Sequence, residues 1–342
     1  MNRRILKLSI PSIFANITVP LVGMVDIAVA GRLGNAAAIG AIAVGTMLFD
    51  LLYWNFGFLR IGTGGLTAQS YGRRNFRDSI KYITQGISVS LSSAFLILVV
   101  QYLFIWVAFR FIDCSPEVEA LSKQYFFIRV WAAPATLSLF VFKGWFIGMQ
   151  NTVSPMAIDV TVNVVNIVAS VYLGLYTDLG FAGIAWGTLI AQYSGLILSV
   201  VLFAMYYGKL FHYFNLKESL HVEDMKAFFK MNGNLFIRSL CFMLIYSGFT
   251  ALAAKYGDIE LAVSSIMMKL LMLFSYFIDG FAYAGEALTG KYIGAKERPS
   301  LVKAVKLLFV WSAIIGVLST LAYAFAGEWM VKLMTTDPQV IQ

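Results

Sequence analysis

The sequence contains few of the residues on which metal centres and disulfide frameworks depend. Among 342 residues there are two histidines and two cysteines. His212 and His221 both fall in one hydrophilic segment, so no histidine is available as a proton relay inside an apolar one. Cys114 and Cys241 have neither the number nor the spacing of a disulfide framework or a metal site. We therefore expect no disulfide and no metal centre built from these residues.

Charge is also scarce, because only 13% of the residues are charged while 59% are hydrophobic. Soluble domains carry about 25% charged residues, so the composition is typical of a membrane protein. The seven prolines and 28 glycines are scattered, which excludes low-complexity tracts and fits packed, bent membrane helices. The net charge of +8 lies in the loops, where it acts as a topology signal, so we expect membrane lipids and no nucleic acid as partners.

Polar breaks divide the chain into nine apolar segments, which predicts an all-α polytopic membrane protein. The basic breaks are the amino terminus and the even-numbered ones, which predicts a cytoplasmic amino terminus in a plasma (inner) membrane. A secretory signal is the alternative for the first segment, although that segment is too long for a typical signal core. The nine segments are residues 8–31, 37–68, 82–109, 124–147, 155–176, 181–206, 228–254, 260–290 and 304–334.

An internal repeat with an offset of 222 residues relates the two parts of the chain. It matches Leu66-Thr67 with Leu288-Thr289, Gly72 with Gly294, Lys81 with Lys303, and residues 115–118 with residues 337–340. The repeat predicts a six-helix amino-terminal lobe over 1–206 and a cytoplasmic linker with a short amphipathic helix over 207–227. It leaves an incomplete lobe of three helices over 228–342, so that nine of an expected twelve helices are present.

The first apolar segment contains one carboxylate, Asp26, among aliphatic residues and glycine. A segment of this length forms a helix of roughly 34 Å, enough to cross a hydrocarbon layer. An ionisable group there is costly, so we expect Asp26 to face a polar interior and to bind a proton or a cation such as sodium. Pro11 and Pro20 each remove one backbone hydrogen bond, which predicts a helix able to bend. Alternatively, Asp26 lies near the membrane surface and only caps the helix.

The fifth apolar segment carries a polar stripe that is a second candidate for ion binding. Asp159, Asn163, Asn166 and Ser170 are spaced by four, three and four residues and therefore share one helix face. Thr188 of the sixth segment is a further polar contributor. The alternative is hydrogen bonding between helices, which is the commoner use of asparagine, serine and threonine in membranes.

The eighth segment holds a second charged set, Lys269, Asp279 and Glu286. The two acids lie two turns apart on one face, and the lysine lies about 80° away around the helix. Internal charge compensation is the alternative to a functional role. The sequence Gly62-Thr63-Gly64-Gly65 is more consistent with close helix packing than with phosphate binding. With no phosphate loop and no nucleophile motif, we predict neither an enzyme nor a cofactor.

Taken together, these residues resemble those of the multidrug and toxic compound extrusion (MATE) transporters, with the DinF-like branch as the nearest match. The resemblance covers essentially the whole chain and depends on joint spacing. It is carried by Pro11, Asp26 with Gly31-Arg32-Leu33-Gly34, Gly148 with Gln150-Asn151-Thr152, Pro155, Asn166, Gly183 and Thr188.

The resemblance implies a monomeric bundle of two helical lobes. It implies the export of small cationic or amphipathic compounds, driven by the inward flow of protons or sodium ions through alternating access. It implies a cation site at Asp26, Asn166 and Thr188, with Pro11 as the bending point. DinF-like members often have an aspartate where this chain has Ser170, so Asp159 is a candidate for the missing acid.

Two alternatives to an exporter remain open at this stage. The first is a flippase for a lipid-linked precursor, whose cationic cavity would be formed by Arg60, Arg129, Arg238 and Lys269. The second is an inactive, truncated membrane protein.

Overall fold

A computed structural model describes residues 1–33, 36–256 and 258–334, and every regular element in these ranges is helical. The predicted all-α membrane architecture is therefore confirmed. Residues 337–340, one partner of the proposed repeat, and Gly34 lie outside the described residues. The helices are α1 (Asn2–Arg32), α2 (Ala36–Tyr53), α3 (Gly57–Arg73), α4 (Phe76–Ala108), α5 (Pro116–Arg129), α6 (Ala133–Gly148), α7 (Val153–Leu175), α8 (Phe181–Tyr207), α9 (Leu216–Ser219), α10 (Val222–Tyr256), α11 (Asp258–Gly294) and α12 (Arg298–Met334).

Eight helical spans of the described chain are long and apolar enough to cross a membrane. Two of them are interrupted near the middle by 3₁₀ turns, at Trp54–Phe56 between α2 and α3 and at Val130–Ala132 between α5 and α6. The predicted segment 228–254 lies inside α10, which has 35 residues. Lys230, Asn232 and Arg238 are polar residues within this helix.

The largest core is formed by the helices from α1 through α8. The fully buried aromatic side chains of Tyr125, Phe126, Trp145 and Phe146 lie at its centre. A smaller core packs α11 and α12 against α1 and α6, through residues such as Ile5, Ile147 and Phe281. Large apolar side chains on the outer surface, for example Phe95, Phe309 and Phe325, are exposed. This distribution is expected of a bundle whose outer surface contacts lipid.

α3 and α11 approach each other closely along a seam of glycines. A Cβ atom on Gly72 would lie 2.0 Å from the Lys291 carbonyl oxygen, and one on Gly294 would lie 2.0 Å from that of Gln69. The 222-residue offset relates these two contacts to each other, because residue 69 corresponds to residue 291 and residue 72 to residue 294. Ala68 and Gly290 also correspond under this offset, and a Cβ atom on Gly290 would lie 2.5 Å from the Cβ of Ala68. The offset found in the sequence therefore also relates the contacts across this seam.

The region predicted as a linker folds onto the start of α4. It forms a 3₁₀ turn at Gly208–Tyr213, the four-residue helix α9 and the first turns of α10, which replace a single amphipathic helix. Glu218 forms a salt bridge with Arg77 at 2.6 Å, and Asp224 forms one with Lys81 at 2.6 Å. The amino terminus lies at the same end, since Arg4 Nη1 donates to the Tyr292 hydroxyl at 3.3 Å. We call this the basic end of the bundle.

Candidate functional site

Asp26 lies inside the bundle, where α1 packs against α7 and α8. Its residue is only 7% exposed, and its Oδ1 atom has no hydrogen-bond partner within the described chain. The Ser170 hydroxyl lies near the carboxylate and donates to the Ile184 carbonyl of α8 at 3.5 Å. One turn further along α1, Val29 packs against Gly174 of α7, where a Cβ would come within 2.7 Å. The acid therefore faces polar groups of α7 and lies away from the lipid-facing surface.

Asn166, Ser170 and Thr188 are brought together by the close packing of α7 against α8. Asn166 Nδ2 donates to Thr188 Oγ1 at 2.9 Å, and all three residues are buried. Gly187 permits this approach, because a Cβ there would lie 2.6 Å from the backbone nitrogen and the hydroxyl of Ser170. Asn166 Oδ1 has no hydrogen-bond partner among the described residues. The arrangement gathers one carboxylate and several neutral oxygen atoms, which are ligands that a hard cation or a proton can use.

Tyr125 and Arg129 complete the surroundings of Asp26, and the sequence reasoning did not assign them to this site. Arg129 Nη1 donates to the Tyr125 hydroxyl at 2.8 Å, and Tyr125 is 1% exposed. The guanidinium also lies over the Phe49 ring, 4.5 Å from its centroid. A tyrosine four residues before an arginine inside an apolar segment was the available signal, since residues at this spacing meet on one helix face.

The other members of the polar stripe have separate partners. Asn163 Nδ2 donates to Thr18 Oγ1 of α1 at 2.5 Å. Asp159 Oδ1 pairs with Lys143 Nζ of α6 at 2.9 Å. Because Asp159 precedes Ser170 by eleven residues, it lies about 16 Å further along α7. The stripe is thus shared between contacts with α1, α8 and α6.

Pro11 and Pro20 both lie inside α1, which continues through them from Asn2 to Arg32. Since Pro20 has no backbone N–H, the carbonyl of Asn16 lacks its usual helical donor. The Asn16 side chain donates to the Tyr276 carbonyl of α11 at 3.1 Å. The segment between the two prolines is therefore tied to α11 through Asn16 and to α7 through Thr18.

The second charged set does not form one cluster. Glu286 pairs with Arg60 of α3 at 3.4 Å, and the Arg60 guanidinium lies 4.2 Å from the centroid of the Tyr283 ring. The Glu286 carboxylate rests on α3, where a Cβ on Gly64 would lie 1.9 Å from Oε1. Asp279 lies two turns away, in the wall of a cavity, and Lys269 is exposed.

Two adjoining cavities form a cleft between α2 and α3 on one side and α10 and α11 on the other. One cavity of about 370 Å³ contains Asp50, and the next, of about 300 Å³, contains Arg238 and Asp279. Both are lined by Trp54, Tyr246 and Met272. Asp50 is a further acid that the sequence reasoning missed, although it stands inside the apolar segment 37–68.

Comparison with known proteins identifies the class to which this fold and site belong. The MatE family model matches residues 11–172 and 235–342. DNA damage-inducible protein F of Escherichia coli (strain K12) is 31% identical over 341 residues, an alignment that covers 100% of this chain and 74% of that protein. The chain therefore belongs to the MatE family, whose members are multi-pass membrane transporters and not enzymes.

Two further similarities agree with this assignment. The probable multidrug resistance protein NorM of Photorhabdus laumondii is 23% identical over 351 residues, covering 99% of this chain and 75% of that protein. The solved structure of the Vibrio cholerae MATE transporter VcmN in the bent form superposes with a TM-score of 0.90 at 18% identity, covering 99% of this chain and 77% of the other. The structural likeness supports the fold.

Proposed function

We propose that this MATE family protein exports small cationic or amphipathic organic compounds in exchange for protons or sodium ions, by alternating access. Residues 1–206 and 228–342 form two lobes on either side of the cleft in this proposal. In this proposal the protein is a monomer in the plasma (inner) membrane. Its basic end faces the cytoplasm, because basic loops are retained on that side.

The observation that carries the proposal is the environment of Asp26. A buried carboxylate with one unpartnered oxygen is costly in a membrane unless a cation neutralises it. Asn166, Ser170 and Thr188 add neutral oxygens, so the site can accept a proton or a sodium ion without first breaking an ion pair. Loading the site would then favour a different bend of α1 at Pro11 and Pro20.

The cleft supplies the binding surface for an amphipathic cation. Trp54 and Tyr246 offer aromatic faces to a cation, and Met272 offers an adaptable apolar surface. Asp50 and Asp279 supply negative charge within the same walls. The volumes of the cavities are within the range of small-molecule sites.

Gradient-driven efflux from proteoliposomes tests the coupling role of Asp26. Proton and sodium gradients are imposed separately on the parent protein and on Asp26→Asn. We expect the parent to respond to one gradient and the variant to lose gradient-driven efflux, because the amide cannot exchange the cation. Asp178→Asn in the exposed α7–α8 loop is the matched control and should transport normally. Undiminished efflux by Asp26→Asn would refute the proposal.

The flippase alternative requires a broad cationic cavity, and the engaged arginines weigh against it. Arg60 is paired with Glu286, and Arg129 is bonded to Tyr125. Arg238 lines the cleft, but the same cleft contains the two acids Asp50 and Asp279. A lipid-flipping assay in vesicles separates the two functions.

A further inference from the structure

The turn that joins α6 to α7 contains Gln150, which has no part in the candidate cation site. Its backbone has a φ of 65°, in the left-handed region that favours glycine. The Gln150 N–H donates to the Ile147 carbonyl and the Asn151 N–H donates to the Phe146 carbonyl, both at 2.9 Å, which is the usual way to end a helix on a left-handed residue. Glycine meets these backbone requirements with less strain, so the turn by itself does not account for a glutamine.

The Gln150 side chain reaches across to α11. Its Nε2 atom donates to the Ala287 carbonyl oxygen at 2.7 Å, and Ala287 is fully buried. Ala287 lies eight residues after Asp279 of the cleft wall, about 12 Å further along α11. It lies three residues before Gly290, where α11 meets Ala68 of α3. The hydrogen bond therefore ties the end of α6 to α11 between the cleft and the glycine seam.

Apolar packing surrounds this hydrogen bond at the basic end of the bundle. Ile147, three residues before Gln150, is 1% exposed and belongs to the smaller core with Ile5 of α1 and Phe281 of α11. Apolar contact of this kind is non-directional. A hydrogen bond to one backbone carbonyl, in contrast, fixes where α11 lies relative to α6. We call the smaller core and the α3–α11 seam together the inner closure of the cleft.

We infer that Gln150 is the latch of the inner closure, because its hydrogen bond to the Ala287 carbonyl holds the two lobes together at the basic end and must break before the cleft opens there. The inference rests on the proposed alternating-access function and adds a contact that sets the balance between its two states. One neutral hydrogen bond changes such a balance by about two- to tenfold, so it can be broken in every cycle. Opening also admits water to the neighbouring Arg60–Glu286 pair, so its separated charges are not left dry.

The labelling rate of a buried cysteine measures the population of the open form without any transport. Ser9→Cys places the probe on α1, where the Ser9 carbonyl oxygen lies 2.9 Å from the position of a Cβ on Gly280 of α11, and Ser9 is 0% exposed. Its hydroxyl has no partner within the described chain, so the substitution loses no hydrogen bond. Cys114 and Cys241 are replaced by serine in every sample, and a water-soluble maleimide is the reagent. When reclosing is faster than modification, the rate is proportional to the open population.

Replacing Gln150 by glycine separates a latch from a helix cap. Glycine suits the left-handed turn and removes only the side-chain contact, so labelling of Ser9→Cys should become about two- to tenfold faster. Gln150→Met keeps the length of the side chain without its donor and should have a similar effect. If Gln150 served only to end α6, glycine would leave the rate unchanged or lower it, and that result overturns the inference.

Gln101→Ala is the matched control. Gln101 is also a buried amide whose Nε2 donates to a carbonyl, but that carbonyl belongs to Leu98 of the same helix, at 2.8 Å. Its loss should leave the labelling rate unchanged, and an acceleration equal to that of Gln150→Gly would overturn the latch.

A second probe distinguishes opening of the inner closure from loosening of the whole fold. Ser199→Cys lies in α8 and is 0% exposed, so Gln150→Gly should not accelerate its labelling. Equal acceleration at both probes would overturn the inference. Failure of the proposed function is distinct, because undiminished efflux by Asp26→Asn would refute antiport and leave the labelling result standing. Conversely, an unchanged rate in Gln150→Gly overturns only the latch.

Discussion

Asp26 and Glu286 are both acids buried within membrane-spanning helices, and both have an arginine nearby, yet their surroundings differ. Glu286 is in direct contact with Arg60 at 3.4 Å, and its side chain is 13% exposed. The arginine near Asp26 is bound instead to Tyr125 and Phe49, and the side chain of α7 beside the acid is the neutral Ser170.

In the proposed mechanism this difference separates Asp26, an acid that exchanges a cation, from Glu286, an acid that holds helices together. A carboxylate in contact with a guanidinium can accept another cation only after the ion pair has been broken, which leaves a buried charge uncompensated. A carboxylate among hydroxyl and amide groups has no such pair to break. The distance to the nearest cationic side chain is therefore more informative than the presence of the acid.

The largest expected effect is a loss of stability on replacing Glu286 by alanine. Removing one partner of a buried ion pair costs about 3–5 kcal/mol, because Arg60 is left unpaired. Asp26→Asn should change the free energy of unfolding by less than about 1 kcal/mol, since it removes a charge whose Oδ1 has no partner. Denaturant unfolding in detergent micelles measures both.

The double variant Arg60→Met with Glu286→Met is the control for this prediction. It should recover most of the lost stability, because apolar residues of similar volume often replace a buried pair without loss. Equal destabilisation by Glu286→Ala and Asp26→Asn would abolish the distinction between the two acids.

Local periodicity predicted the parts of the site that lie on neighbouring segments. Asn166 and Ser170 share a face because of their four-residue spacing, and the structure brings both together with Thr188. The position of Asp26 in an otherwise aliphatic segment indicated that it faces the interior. The same spacing rule grouped Asp159 with this stripe, but its pairing with Lys143 depends on how α6 packs against α7.

Contacts between distant segments could not be read from the chain. Arg60 and Glu286 are 226 residues apart, and their pairing requires the close approach of α3 and α11. The cleft position of Asp50 likewise depends on α10 and α11 packing opposite α2. The repeat offset was the exception, since it related positions across the seam before any contact was known.

The glycine beneath Glu286 provides an intermediate test of the same contrast. Gly64→Ala should cost about 1–3 kcal/mol, because the added Cβ would lie 1.9 Å from the Glu286 carboxylate and force the pair to shift. Gly65→Ala is the matched control, since nothing lies within 4 Å of a Cβ there. It should be neutral or slightly stabilising in a helix. Equal losses from both substitutions would show that the Glu286 contact is not the cause.

The smallest expected effect concerns the hydroxyl beside Asp26. Ser170→Ala removes a neutral oxygen ligand whose contribution is comparable to that of one hydrogen bond, about 0.5–1.5 kcal/mol. The concentration of coupling cation needed for half-maximal efflux should therefore change by about two- to tenfold. Ser199→Ala is the control, because that buried hydroxyl bonds only its own helix, at the Gly195 carbonyl. An unchanged cation requirement in Ser170→Ala would mean that Asp26 acts without the α7 hydroxyl, whereas complete loss of efflux would mean that Ser170 is itself an indispensable ligand.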